Sequence, residues 1–165
     1  MGQVLAAHGA DRYLLLDQLR DRLDFPETLL AVRLSAQWPD AQTKLVEDKA
    51  NGPAVVQSLR HEIGGFVEVN PEGGKESRAA AASPQLESGN WYLPHPMLKS
   101  WMEGFIAECA AFPNGANDDQ VDAWSQGAKR LLLHRPPITR PPAVHPIKAT
   151  QWRTFMDVVM DNFVV

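Results

Sequence analysis

Two clusters of carboxylates stand out along the chain. Glu47 and Asp48 close the run TKLVED, and Asp118, Asp119 and Asp122 open the segment DDQVDAWSQ after a loop rich in Gly and Asn. A short apolar run of the first kind, followed by the turn NGP, reads as a buried strand with its acids at the carboxyl end. Ligands of open α/β sheets gather outside those ends. The second cluster sits at the start of an expected helix. If strand and helix are neighbours, the carboxylates converge and repel one another unless a divalent cation neutralises them. Oxygen donors of this kind favour Mg²⁺ or Mn²⁺. A pair of such ions can stabilise both the attacking and the leaving oxygen in phosphodiester hydrolysis. Plainer readings exist for every one of these acids. Asp118 can serve as an N-cap, with Asp119 and Asp122 complementing the helix dipole, and Glu47 and Asp48 can be the polar end of a strand.

The elements that must position these acids follow from local patterns. GQVLAAH and RYLLLD flank a Gly-Ala-Asp turn and read as a β-hairpin. Pro26 and Glu27 suit a first helical turn, and Leu29, Leu30, Val32, Arg33, Leu34 and Trp38 continue a helical pattern that Pro39 ends. A strand at TKLVED, a helix opened by Pro53 and closed by Gly64 and Gly65, and a strand at FVEVN come next. The order ββαβαβ points to an α/β sheet. An alanine-rich helix should end near Gly89, with Pro84 as a kink or a boundary. NWYLP reads as a short strand. HPMLKSWMEGFIAECAAFP reads as a helix with Met97, Trp101, Phe105 and Cys109 on one apolar face. The last core helix runs to Leu133. Five of the chain's 13 prolines then fall within 136–146, so 134–148 reads as an extended linker and 149–165 as a C-terminal amphipathic helix.

Composition narrows the function classes. The chain has 165 residues, 44% hydrophobic and 22% charged, enough for one domain with a real core. No apolar run reaches the length of a membrane span, and the N-terminus lacks the features of a signal peptide. The single cysteine, Cys109, rules out an internal disulfide framework or a cysteine-cluster zinc site and reads as a buried small hydrophobe. These features fit a soluble protein of the cytoplasm. A net charge of −4 gives no global basic footprint for nucleic acid, so any such contact needs a local patch. Lys75 and Arg78, beside a glycine turn at a helix start, form one candidate phosphate-binding corner; Lys49 and Arg60 are weaker ones. Trp38, Trp91, Trp101 and Trp124 read as core. The five histidines show no metal-ligand spacing. Neither G-x-S-x-G nor G-x-x-x-x-G-K-[ST] occurs, so a serine hydrolase of that type and a P-loop motor are not encoded.

Four segments in order, VEDKANG, NPEGGK with a following Arg, GN-x-YLP and FPNGA-x-DDQVDA, resemble the C-terminal nuclease domain of the large terminase subunit of tailed phages. The similarity covers about 10–133. It implies a ribonuclease H-like fold, here a mixed sheet flanked by helices, and Mg²⁺- or Mn²⁺-dependent endonuclease action on double-stranded DNA during genome packaging, in the cytoplasm of a bacterial host. It also implies a metal site of three acidic positions. Two of them match Glu47 or Asp48, and Asp118 or Asp119. Glu47 is favoured over Asp48 because Gly52 keeps its family distance from it; Asp118 and Asp119 are not separable, and Asp122 has a supporting place. The first family acid lies on a strand that this chain is expected to lack, and Asp11 and Asp17 do not match it. Asn117 stands where family members often carry His. An N-terminally truncated domain of this kind is expected to lose catalytic power, or to pair with other terminase or packaging subunits or with a second copy through the exposed sheet or the C-terminal helix. The alternative reading is a catalytically defective prophage remnant that acts as a folded interaction or assembly module.

Overall fold

The computed structural model describes residues 1–9, 11–38, 41–70, 73–134 and 163–164. The chain divides into two compact units, one of residues 1–19 and 75–165, the other of residues 20–74.

The first unit begins with the hairpin, β1 (Gly2–His8) and β2 (Arg12–Leu19), paired antiparallel with an irregularity between Val4 and Leu5. Gly9 adopts φ +66°, the left-handed conformation that a tight turn requires and that glycine adopts without a Cβ penalty. Period-two alternation then sends Tyr13 and Leu15 of β2 into the core. The other elements of this unit are α3 (Lys75–Glu87), β5 (Trp91–Pro94), α4 (Met102–Ala111), α5 (Asp119–Leu133) and β6 (Phe163–Val164). Its sheet has the order β1-β2-β5-β6, with β5 parallel to β2 and β6 antiparallel to β5. Tyr13, Leu15, Ala82, Trp91, Met102, Phe105, Trp124 and Ala128 form its core. Trp91 stacks on Tyr13 at 5.3 Å between ring centroids and meets Trp124 edge-on at 5.2 Å, which ties sheet to helix. Gly127 brings α5 close to β1: a Cβ there would lie 2.8 Å from Leu5 Cδ1.

The second unit holds α1 (Phe25–Ser35), β3 (Lys44–Glu47), α2 (Gly52–Leu59) and β4 (Phe66–Val69). Asp24 and Glu27 form a reciprocal capping box at the start of α1, each side chain accepting the other's backbone N–H at 2.8 Å. Strands β3 and β4 pair in parallel. Val55, Val56 and Leu59 are the buried face of α2.

Several expectations need correction. The fourth helix starts at Met102, not near His95; 95–101 is a succession of turns, with Leu98 and Lys99 N–H both donating to the His95 carbonyl. Met97 is 90% exposed, whereas Phe105 is buried as expected, Trp101 and Cys109 pack partly buried against the core, and Met102 and Glu108 join the buried face. Pro84 neither kinks the chain into two helices nor ends α3, which runs on to Glu87. The Ala80 carbonyl, which would have accepted the missing N–H of residue 84, lies 3.2 Å from the Ser83 hydroxyl. Trp91 and Trp124 are buried in the core and Trp101 packs partly buried against it, while Trp38 is partly buried outside that cluster. The linker expected over 134–148 and the helix expected over 149–165 lie outside the described residues, apart from His134, which caps α5, and Phe163–Val164, which form the short strand β6.

Candidate functional site

The second unit places Glu47 as the last residue of β3 and Asp48 directly after it, as the residue types suggested. Pairing with β4 continues past the strand, since Asp48 N–H donates to the Val69 carbonyl at 2.8 Å. The Glu47 side chain is 41% exposed, and Lys49 Nζ approaches its Oε1 at 3.7 Å. The turn that follows is tight. Ala50 sits at φ +48°, and Gly52 packs so close to the strand end that a Cβ would lie 1.9 Å from the Glu47 carbonyl oxygen. Glycine at 52 is therefore what allows α2 to start beside Glu47.

The first unit gathers the other candidates at the adjoining N-termini of α3 and α5. Lys75 opens α3 and Asp118 is the N-cap position of α5. Lys75 Nζ donates to Asp118 Oδ1 at 2.7 Å and lies 3.9 Å from Asp122 Oδ2. One turn along both helices, the Arg78 guanidinium donates to Asp122 Oδ1. The two helices thus run side by side in the same direction. Arg78 is buried, with 7% of its side chain exposed against 14% for Asp122, whereas Lys75 and Asp118 are about 40% exposed. The hydrogen bond to Asp118 raises the Lys75 ammonium above its ordinary value; the charges of Asp118, Asp122 and Asp119 act in the same direction, and burial works against them. Lys75 therefore stays charged as the resident counter-cation of three carboxylates.

Asp118 occupies the N-cap position without doing a cap's work. Its carboxylate makes no hydrogen bond to the first turn of α5. The cap comes from another helix: Gln120 N–H donates to Glu108 Oε1 at 2.6 Å, and Gln120 Nε2 donates to Glu108 Oε2 at 2.6 Å. The chain of amides continues into the hairpin, where Gln18 Nε2 donates to Gln120 Oε1 at 2.6 Å and Gln3 Nε2 to Gln18 Oε1 at 2.9 Å. Glu108 and Gln120 are 8% and 1% exposed. None of these four residues stood out in the sequence. The signal for Glu108 was a charge beside the apolar stripe of Phe105 and Cys109, three residues on from Phe105, where a spacing of four from Met97 passes it by.

The donor set suits a hard cation in its chemistry. Carboxylate oxygens are what Mg²⁺ and Mn²⁺ prefer, Asp119 is exposed, and an ammonium already stands among the acids of α5. Among the described residues, no group of three or more His, Cys, Asp and Glu side chains is assembled as a metal cage. Cys109 is half-buried, and burial, with the Glu108 charge second, pushes its thiol up to about 11. The thiol is thus neutral and poorly nucleophilic near pH 7. No described helix is long and apolar enough to cross a membrane.

A family model described as a terminase RNaseH-like domain matches residues 1–129. No curated protein and no solved structure matches significantly.

Proposed function

The chain belongs to the terminase RNaseH-like domain family, and from that premise we propose that it is a Mg²⁺- or Mn²⁺-dependent endonuclease domain acting on double-stranded DNA during genome packaging. The proposed oxygen ligands are, in the second unit, Glu47 or Asp48 at the end of β3 and, in the first, Asp118 or Asp119 at the start of α5. A bound divalent cation would neutralise charge on the phosphodiester and favour attack of water on phosphorus. The chain's own residues do the rest. Lys75 and Lys49 offer charge to backbone phosphates without reading sequence. Arg78 holds Asp122 and so fixes the first turn of α5. Other packaging subunits are the expected protein partners.

The observation that carries this reading is the Asp118 carboxylate. It sits at a helix N-terminus, half-exposed, and is engaged by a lysine rather than spent on capping. The test is nicking of supercoiled plasmid by the purified chain in Mn²⁺, with Glu47→Ala/Asp48→Ala and Asp118→Ala/Asp119→Ala beside it. Nicking that both double variants lose is the expected result. A folded wild-type chain that does not nick, or variants that nick equally well, would overturn it and leave the non-catalytic interaction module as the better reading.

A further inference from the structure

We infer that Glu108 is a positioning residue for the Asp118 carboxylate: by capping α5 from the neighbouring helix α4, it releases Asp118 from the capping role its position would otherwise give it. The inference rests on the proposed function for its metal, and on geometry alone for its mechanism.

An α-helix begins with backbone N–H groups that lack partners within the helix, and an aspartate at the N-cap normally accepts from one of them. In α5 the donors within an N-cap's reach are the N–H groups of Gln120 and Val121, and the one engaged from another helix is Gln120 N–H. It is already satisfied at 2.6 Å by Glu108 Oε1, from a residue 12 positions earlier. The Gln120 side chain donates to the second oxygen of the same carboxylate, also at 2.6 Å, so Glu108 grips one residue of α5 with both oxygens. Gln120 in turn is held by Gln18, and its carbonyl accepts from Gln3 Nε2 at 3.2 Å, so both strands of the hairpin fix the same turn. The amides all donate in one direction, Gln3 to Gln18 to Gln120, and the series ends on a carboxylate, which only accepts. Through Gln120, buried and hydrogen-bonded on both sides, the first turn of α5 is held in place, and its rotation would break the series. Two residues before Gln120, the Asp118 carboxylate makes no hydrogen bond to the first turn and is engaged by Lys75 instead. Were Glu108 absent, the nearest acceptor for the unpartnered N–H would be Asp118, which would swing from Lys75 onto the helix end.

The mechanism is tested first on the wild-type chain by NMR. Scalar coupling across the hydrogen bond should link Gln120 N to the Glu108 carboxylate carbon; coupling to the Asp118 carboxylate carbon instead would overturn the inference. A thermal double-variant cycle tests the competition. Asp118→Ala should shift Tm by no more than about 1 °C in the wild-type background. In the Glu108→Ala background it should cost about 2–4 °C, what one helix cap is worth in a protein of this size. Equal shifts in the two backgrounds would overturn it. The metal arm titrates Mn²⁺ alone and follows paramagnetic broadening of Asp118 and Asp119. Glu108→Ala should weaken binding about tenfold or more, as loss of a supporting group around a metal ligand does; unchanged affinity counts against the inference. Absence of Mn²⁺ binding by the wild-type chain would sink the metal reading, and the coupling and the cycle would still decide the positioning role.

Discussion

The Lys75 ammonium lies 2.7 Å from Asp118 Oδ1, so a side chain expected to meet DNA phosphate and one expected to hold a metal are partners of each other. Each therefore controls the availability of the other. A divalent cation arriving at Asp118 competes with the ammonium, and the displaced lysine becomes free for an anion.

Replacing Lys75 should strengthen cation binding at α5. Lys75→Met is expected to raise Mn²⁺ affinity severalfold, read by calorimetry. Because both partners are about 40% exposed, the stability loss should stay below about 1 kcal/mol. Unchanged affinity would show that the ammonium and the ion do not compete.

The same pair has a defined pH window. The folded Lys75 value lies above the ordinary 10.5, so whatever stability the pair contributes is fully present below that value. It is lost as pH rises through the raised one. Tm differences between the wild-type chain and Asp118→Asn should therefore be constant from about pH 7 to 9 and shrink in more alkaline solution.

Arg78 should matter for folding more than for DNA. Its guanidinium is buried against Asp122, and removing it leaves that carboxylate to the more distant Lys75 ammonium at 3.9 Å. Arg78→Ala is expected to cost about 3 kcal/mol in urea denaturation. Arg78→Lys should recover only part of it, since an ammonium lacks the planar fork. A loss under about 1 kcal/mol would place the pair with ordinary surface salt bridges.

The turn after β3 makes two opposite predictions. Gly52→Ala forces a Cβ to 1.9 Å from the Glu47 carbonyl. It should destabilise the second unit by about 3 kcal/mol or more and abolish nicking through displacement of Glu47. Ala50→Gly, at a left-handed φ of +48°, should be neutral or stabilising by up to about 1 kcal/mol. Urea titration of both variants checks the pair.

Cys109 should be inert in the folded chain. With its thiol pushed up to about 11, labelling by a disulfide reagent at pH 8 should be slow in buffer and fast in denaturant. Rapid labelling of the native chain would contradict the burial described for it.

The order of the elements was legible in the sequence because each rests on local physics. Pro26 and Pro53 set helix starts, apolar runs set the strands, and Gly9 and Gly65 mark positions of positive φ. The placing of Glu47 at a strand end and Asp118 at a helix start follows from the same local rules; the family resemblance rests separately on the motif segments around them. Three things were settled only by tertiary structure. The extent of α4 was one: residues 95–101 precede the helix, which leaves Met97 on the surface, and Met102 and Glu108 join the expected Phe105 on its buried face. The pairing of Lys75 with Asp118 and of Arg78 with Asp122 joins residues 43 and 44 apart, and depends on α3 lying alongside α5. The identity of the α5 cap depends on α4 as well. A helix end needs an acceptor, and sequence offers the nearest one, Asp118; packing supplied Glu108 instead. Local pattern fixes which groups need partners, and only the packed chain decides which partner each one gets.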